Sequence, residues 1–570
     1  MLVGSIERSR HPDLKAVFLI GATQRQFPVP VGSTGILTDE DRNVAESADF
    51  PLAPGTDRTL AERRYLAYIA FTRPSELLYV TYPAVDEKGS GVPRSQFVAQ
   101  LESMFEDLAE ESIAGEQDNI EGVHNSTELT DLLCSRLGRD APTPQATDKA
   151  QLDKLLDDIR TDVQLADVGS AVLSALNYDN RAELNGEVVA ELFARKLNSS
   201  ATALSAFAAC PYQHFARYML ELKERQEFKF EPLDLGKFYH RALDAWLKRV
   251  KAGGLDFGTV SDERLVEILK EEISRLVAED AFLSNFVRHG PHNTFIIDNA
   301  GEVLADCAPA IAQMIRAGCF EPTLSEVSFG RARDAGDTLG DYELALPDGR
   351  VLSLSGKIDR LDAAKSGGEE IAIVFDYKRR ARTFSWMSFY HGLDMQLPIY
   401  MLAVRNTSGG RDIARQVVGA FYMPVEVGPQ SATLDELAEA KDVFNYKAKG
   451  IFNGEFYRQL DNAAGGWSKF YNFRVSAKDE QYGNYAISAA LKPGDFESVL
   501  KFAEQRVVQL AGDIFAGKID IRPYRISDDS PCGNCKYKPV CRFDWQINDF
   551  NPLLSLVKTE VLEKIGGGNA

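Results

Sequence analysis

Asp359, in the run Gly356-Lys357-Ile358-Asp359-Arg360, and the pair Asp376 and Lys378, in Asp376-Tyr377-Lys378, are the residues with most to offer chemically. In a strand, residues i and i+2 share a face, so Asp376 and Lys378 project together while Tyr377 points away. Asp359 lies just past the strand of an expected hairpin and joins them if the two strands pair. Two carboxylates and a lysine then converge at strand ends, a set suited to phosphodiester hydrolysis. Mg²⁺ is held by one or two carboxylates plus substrate phosphate. It polarises the phosphate and lowers the pKa of a bound water, while a neighbouring lysine positions that water or stabilises developing charge. A lone Asp-x-Lys is more often a solvated ion pair, so its neighbours decide the matter.

Those neighbours are informative. Gly236-Lys237-Phe238-Tyr239-His240 opens a helix running on through Ala242, Leu243 and Trp246, and Gln396 and Tyr400 share a helix face at i, i+4 spacing. In this order, the His240 motif, Gly-Lys-Ile-Asp-Arg, Asp-Tyr-Lys and Gln396-Leu397-Pro398-Ile399-Tyr400 resemble the RecB-type branch of the PD-(D/E)XK nucleases. The resemblance implies an α/β, restriction-endonuclease-like domain. It further implies Asp359 and Asp376 as ligands to Mg²⁺ or Mn²⁺, His240 completing or supporting that site, Lys378 as the catalytic lysine, and Gln396 and Tyr400 beside the substrate phosphate. Glu326 is a weaker candidate for an accessory acid and reads more simply as a charged strand flank.

Arg379, Arg380 and Arg382 follow at once, with Phe384, Trp386, Phe389 and Tyr390 behind them. Basic residues interleaved with aromatics suit a single DNA strand through phosphate neutralisation and base stacking. Further on, Cys532-x2-Cys535-x5-Cys541 sits among Pro and Gly, and Cys210 lies 322 residues before Cys532. Four thiolates suit zinc or an iron–sulfur cluster, and spacing alone does not choose. One cysteine before the nuclease motifs and three after them resembles the [4Fe–4S] clasp of AddB-type nucleases. Tying such distant points together removes chain entropy on the order of 5 kcal/mol, a structural role.

The N-terminal hundred residues alternate strand, helix and strand: a buried strand from Ala16 to Gly21, a helix from Leu60 to Thr72 and a strand from Leu77 to Tyr82. With Phe27-Pro28 and the run Glu62 to Arg73, this resembles the end of a superfamily 1 helicase core, in which Arg73 matches the arginine that reaches the γ-phosphate of ATP. The three Gly-Lys pairs, at Gly236, Gly356 and Gly517, are followed by Phe238, Ile358 and Ile519. None makes the phosphate loop G-x-x-x-x-G-K-[ST], so ATP hydrolysis by this chain alone is not expected. The whole resembles the C-terminal part of an AddB/RexB-like subunit. That resemblance implies a DNA substrate, linear and single-stranded at the nuclease site, an AddA-like partner subunit, and a place in double-strand break repair and recombination.

The elements that must position these groups are a hairpin, Tyr342–Leu346 and Val351–Ile358 around Pro347-Asp348-Gly349, a strand at 370–377, and helices near 394–405 and 496–517. The expected order is a partial RecA-like lobe (1–105), an acidic helical connector (106–195), the nuclease domain with its cluster (196–550) and a C-terminal tail (551–570). A 570-residue chain with 44% hydrophobic residues can build several cores, which excludes a mainly disordered protein. Net charge −20 argues against a polybasic, non-specific binder, although a local basic groove is compatible with it. Seven cysteines form no disulfide framework and agree with a reducing cytoplasm, and no apolar run is long enough to span a membrane. The alternative reading is a non-catalytic DNA-binding or scaffold subunit, and the retained Asp359, Asp376 and Lys378 weigh against it.

Overall fold

A computed structural model describes the chain apart from residues 1, 9–10, 12, 28, 32–36, 51, 87–89, 106–107, 109, 113–122, 138–145, 163–164, 182, 194–195, 226–231, 331–335, 429–443, 477–481, 484–486, 546 and 567–570. Pro28, most of the acidic run 106–121, the Pro142-Thr143-Pro144 linker and Gly567-Gly568 lie outside the described residues. Contacts divide the chain into two units, 1–172 and 173–570. Among the described residues no helix is long and apolar enough to cross a membrane.

In the first unit, β1 (Leu14–Ile20) and β2 (Pro74–Thr81) pair in parallel with Phe18 opposite Tyr79, joined by α1 (Thr56–Thr72). Leu19 and Val80 pack on Ala67, Ala70 and Phe71, with Phe27 and Phe97 closing a small core. The expected strand–helix–strand order is present, but the expectation of a buried β1 is corrected. Phe18 is 64% and Ile20 82% exposed, with Leu77 and Tyr79 open beside them. Side chains alternate across a strand, and the small core packs only one face of this two-stranded pair. Helices Ser126–Leu137, Ala146–Thr161 and Ala166–Leu176 bury a separate cluster around Leu133, Ile159 and Val172.

The two larger sheets of the second unit frame the site. β3 (Lys196–Ser199), β6 (Val351–Leu354) and β5 (Tyr342–Ala345) form one, in that order. The other runs from a short strand Ala490–Leu491 through β10 (Lys449–Asn453), β9 (Gln416–Pro424), β8 (Glu369–Lys378) and β7 (Gly356–Ser366) to β4 (Glu321–Phe329). The β5–β6 hairpin forms as expected, but the single strand expected over 351–358 is two strands. It breaks at Ser355, whose N–H donates to Ser199 O, and the chain passes from the small sheet to the large one. Gly356 permits the crossing, since a Cβ there would lie 2.5 Å from the Phe329 ring. Asp359 therefore lies inside β7, not beyond a hairpin strand.

Helices cover both faces of the large sheet. On one face α2 (Ala201–Ala209), α6 (Gln396–Asn406), α7 (Pro493–Phe515) and α8 (Lys558–Gly566) pack on Val374, Ala420 and Ile451. On the other, α3 (Pro232–Ala252), α4 (Asp262–Glu279) and α5 (Pro291–Ala317) pack on Ile373, Phe375 and Phe421. α3 shows why it sits there: Phe238, Ala242, Trp246 and Val250 repeat at i, i+4 and are all buried. The stretch set apart as a tail contributes α8, whose Val561 is fully buried and whose Lys558 Nζ donates to the carbonyls of Ser488 and Ala490.

Candidate active site

β7 and β8 pair antiparallel with Arg360 opposite Phe375, so the next residues along, Asp359 and Asp376, come side by side. The Tyr377 N–H donates to Asp359 Oδ2 at 2.6 Å and fixes that carboxylate. β4 flanks β7 with Ser325 opposite Arg360 and Val327 opposite Ile358, which sets Glu326 against Asp359. Ser325 Oγ donates to Asp244 Oδ1 at 2.6 Å, pinning β4 to α3. One turn before Asp244, His240 projects from α3, its Nδ1 3.1 Å from Asp359 Oδ1 and 3.4 Å from Glu326 Oε1. One ligand atom each from His240, Glu326 and Asp359 lies within 4.8 Å of the others, the one such set among the described residues. Glu326 holds its place with φ +50°, a left-handed conformation that costs a non-glycine residue about 1–3 kcal/mol and concentrates at functional sites.

Asp376, Lys378, Gln396 and Tyr400 form the adjoining half. Lys378 is ion-paired to Asp376, which is almost wholly buried, and its Nζ donates to Gln396 Oε1 at 3.0 Å. Gln396 Nε2 donates to Asp376 Oδ1 at 2.6 Å and to Tyr400 Oη at 3.0 Å. One amide at the start of α6 thus fixes the carboxylate, the ammonium and the phenol. Asp376 Oδ2, sealed from solvent, has the ammonium beside it and no hydrogen bond. On the opposite face of the sheet, Arg360 is buried with its Nε 2.9 Å from Asp362 Oδ1, donates to Tyr377 Oη at 3.0 Å and lies 3.9 Å over the Phe375 ring. That buried pair stiffens the strand segments that carry Asp359 and Asp376.

The electrostatics follow from this crowding. Burial and the neighbouring Asp359 charge push the Asp376 carboxyl up to about 7 against the opposing pull of Lys378. Burial disfavours charge on His240, but hydrogen bonds and attraction from Asp359 and Glu326 outweigh it and raise the imidazole to about 10. Burial would raise Glu326, yet His240 and Lys357, whose Nζ lies 2.7 Å from Glu326 Oε2, hold its carboxyl below the ordinary range. Burial raises the Tyr400 phenol, with the Asp376 and Asp359 charges adding to it.

All six residues expected at the site, His240, Asp359, Asp376, Lys378, Gln396 and Tyr400, converge in one place. Glu326, offered from sequence as a weaker candidate for an accessory acid and read more simply as a strand flank, stands inside the ligand cluster, while Asp376 stands beside it, paired to Lys378. Sequence reasoning also missed Asp394 and Tyr422. Tyr422 Oη donates to buried Asp394 at 2.7 Å, and its ring lies under Lys378 at 5.3 Å and Arg382 at 4.7 Å.

Two members of the basic run are held by ion pairs. Arg379 pairs with Glu426 at 3.5 Å and Arg382 with Asp394 at 3.0 Å, and Arg380 alone is exposed without an ion pair among the described residues. The aromatics offered for base stacking are packing residues. Phe384 and Phe389 are buried, Trp386 packs edge-on against both, and Tyr390 stacks on Phe502. That apolar run belongs to the core.

The cysteine set is brought together. Cys210, Cys532, Cys535 and Cys541 line one pocket with Tyr212, Tyr537 and Phe543. Burial pushes the Cys210 thiol up to about 11 and raises Cys541. Asn180 bridges to the Cys541 and Arg542 carbonyls and to Asn548, fastening this loop to the start of the unit. In the other unit, Arg73 ends α1 with one guanidinium nitrogen sealed from solvent and unpaired.

A family model described as PD-(D/E)XK nuclease superfamily matches residues 198–542. The chain is also similar to curated proteins whose names describe a subunit of an ATP-dependent helicase/deoxyribonuclease. That of Desulforudis audaxviator is 30% identical over 99% of this chain and 49% of its own length. That of Symbiobacterium thermophilum is 30% identical over 95% and 47%, and that of Natranaerobius thermophilus 29% over 99% and 48%. The chain spans about half the length of the curated relatives it matches.

Proposed function

The chain belongs to the PD-(D/E)XK nuclease superfamily, and we propose that it hydrolyses phosphodiester bonds of linear DNA with Mg²⁺ or Mn²⁺, as the nuclease part of a helicase–nuclease that pairs with an AddA-like protein and acts in double-strand break repair. The observation that carries this reading is the close set His240, Glu326 and Asp359 beside Asp376, Lys378 and Gln396. The donor set fits a hard cation: two carboxylates and one imidazole whose ligand atoms lie within 4.8 Å of one another, with the Asp376–Lys378 pair adjoining. Asp359, Glu326 and His240 would hold the ion, with Asp376 adjoining. When bound, it supplies a Lewis acid and a lowered pKa for water.

The chain's own residues do the rest. Gln396 holds Asp376 and Lys378 in one fixed geometry, so the ammonium faces the scissile phosphate without reorganising during reaction. Tyr400 accepts from Gln396 and keeps its own O–H to donate to a phosphate oxygen. Arg380 supplies an unpaired cation beside the strand path. End-labelled linear DNA, single- and double-stranded, incubated with and without Mg²⁺ tests this: the parent shortens it and Asp376→Ala does not. Equal cutting by both rejects the site.

For the cysteine pocket we favour one [4Fe–4S] cluster over zinc. What supports this reading is the order of the four thiols, one before the nuclease residues and three after them, and their meeting in one pocket. The cluster's role would be to fix Cys210 to the 532–541 loop. Iron and sulfide analysis of anaerobic protein decides between them, and zinc in stoichiometric amount rejects the cluster.

A further inference from the structure

We propose that Lys449, the first residue of β10, and Lys447 just before it form a second phosphate-binding position for the same DNA strand, one or two nucleotides from the bond that is cut. The proposal rests on the nuclease reading of the site and extends it along the sheet. β8 pairs with β9 so that Asp376 stands opposite Tyr422, and β9 pairs with β10 so that Tyr422 stands opposite Lys449. Paired residues share a face, and strands are spaced by about 4.8 Å. Lys449 therefore lies on the face that carries Asp376 and Lys378, about 10 Å from Asp376 between backbones.

Ile451, two residues on, packs in the same core cluster as Tyr422 and Tyr400, which fixes the orientation. Lys447 precedes Lys449 by two residues, close enough that its neighbour's charge, after burial, lowers its pKa. Gly450 holds β10 tightly to β9, since a Cβ there would lie 1.9 Å from Ala420 O. Lys449 is thus presented from a rigid strand, with Lys447 two residues ahead of it in the approach to β10.

Their lack of partners is the distinguishing feature. Lys357, Lys378, Arg379 and Arg382 are each paired with a carboxylate. Lys447 and Lys449 have none among the described residues, in a chain with 84 acids and 64 bases. Two adjacent, half-buried, unpaired ammonium groups repel each other and gain from a polyanion that neutralises both. Lys378 and Arg382 already lean over the Tyr422 ring, so cations extend from the scissile position across β9 to β10. A sugar–phosphate backbone following that line meets Lys449 next.

The test is fluorescence anisotropy of labelled single-stranded DNA on the full chain without divalent metal, across roughly 50–200 mM salt, so that binding is read apart from cutting. Removing two phosphate contacts should lower the slope of log K against log salt by about 1.4, at about 0.7 per contact for single strands. The Lys447→Gln/Lys449→Gln double variant should show that loss with an unchanged melting temperature, and in Mg²⁺ its KM should rise while kcat stays within about twofold. The Lys447→Arg/Lys449→Arg variant should keep the parent slope. A parent that binds and cuts DNA, with a glutamine variant of equal slope and KM, overturns this proposal alone. A parent that neither binds nor cuts overturns the nuclease reading and this proposal with it.

Discussion

Replacing Lys378 by Met separates catalysis from folding at this site. The ammonium pairs with Asp376 and is itself about one quarter exposed, while the Asp376 carboxylate is almost fully buried. Removing one partner of a buried pair usually costs about 3–5 kcal/mol because a charge is left stranded. Asp376 escapes most of that cost: burial and Asp359 already push its carboxyl up to about 7, so it takes a proton once Lys378 is gone. Its hydrogen bond from Gln396 persists. The expected stability loss near pH 6 is therefore small, about 1 kcal/mol or less.

The sign of the pH dependence follows. A folded-state carboxyl pKa above the unfolded value means the folded form binds more protons, so this contribution is fully present below about pH 4 and lost as pH rises through the folded value. In Lys378→Met the folded value climbs further, so the variant should weaken relative to the parent from pH 6 to 9. Cleavage should fall about 10²–10³-fold, the usual effect of removing one transition-state donor. Single-turnover cleavage of labelled DNA and urea melts at pH 6 and 9 read the two effects. A variant within tenfold of the parent rate, or one already unfolded at pH 6, would refute the reasoning.

Three other outcomes are expected. Without metal, His240 contributes stability that is fully present below about pH 6.5 and lost as pH rises through about 10, so chelated protein should melt lower at pH 9.5 than at pH 6, and less so in His240→Ala. Asp362→Ala leaves Arg360 buried without its partner and should cost about 3–5 kcal/mol by chemical denaturation, whereas Arg360→Met with Asp362→Leu should recover most of it. Cys541→Ser should lose iron and melting temperature together, since ligand binding of this kind contributes directly to folding; full iron content in that variant would remove Cys541 from the set.

Much of the site was legible because its signals are local. Asp376-Tyr377-Lys378 follows strand alternation, Gln396 and Tyr400 follow helical spacing, and His240 rides on a helix whose buried stripe is plain in Phe238, Ala242 and Trp246. The clustered cysteines stood out against an otherwise sparse background. What was not legible depends on register and backbone conformation. Glu326 enters the cluster through its cross-strand place opposite Asp359 and a left-handed φ, neither of which leaves a mark in the surrounding Leu-Ser-Glu-Val-Ser. Lys449 joins the same row only through pairing across β9. The aromatics after Arg382 misled because composition alone does not distinguish a stacking platform from a packed helix, and Phe389 is fully buried. Asp394, a lone acid in sequence, acquires its role only when Tyr422 and Arg382 arrive beside it.

The central claim is that this chain cuts DNA with a divalent cation held at Asp359. It is tested most directly by following the shortening of end-labelled linear single-stranded DNA over a Mg²⁺ titration, with the parent and Asp359→Ala side by side. The account predicts saturable, Mg²⁺-dependent cutting by the parent and none above background by the variant at any Mg²⁺ concentration. Cutting by the parent that persists in excess chelator, or a variant that follows the parent's Mg²⁺ curve, would contradict it.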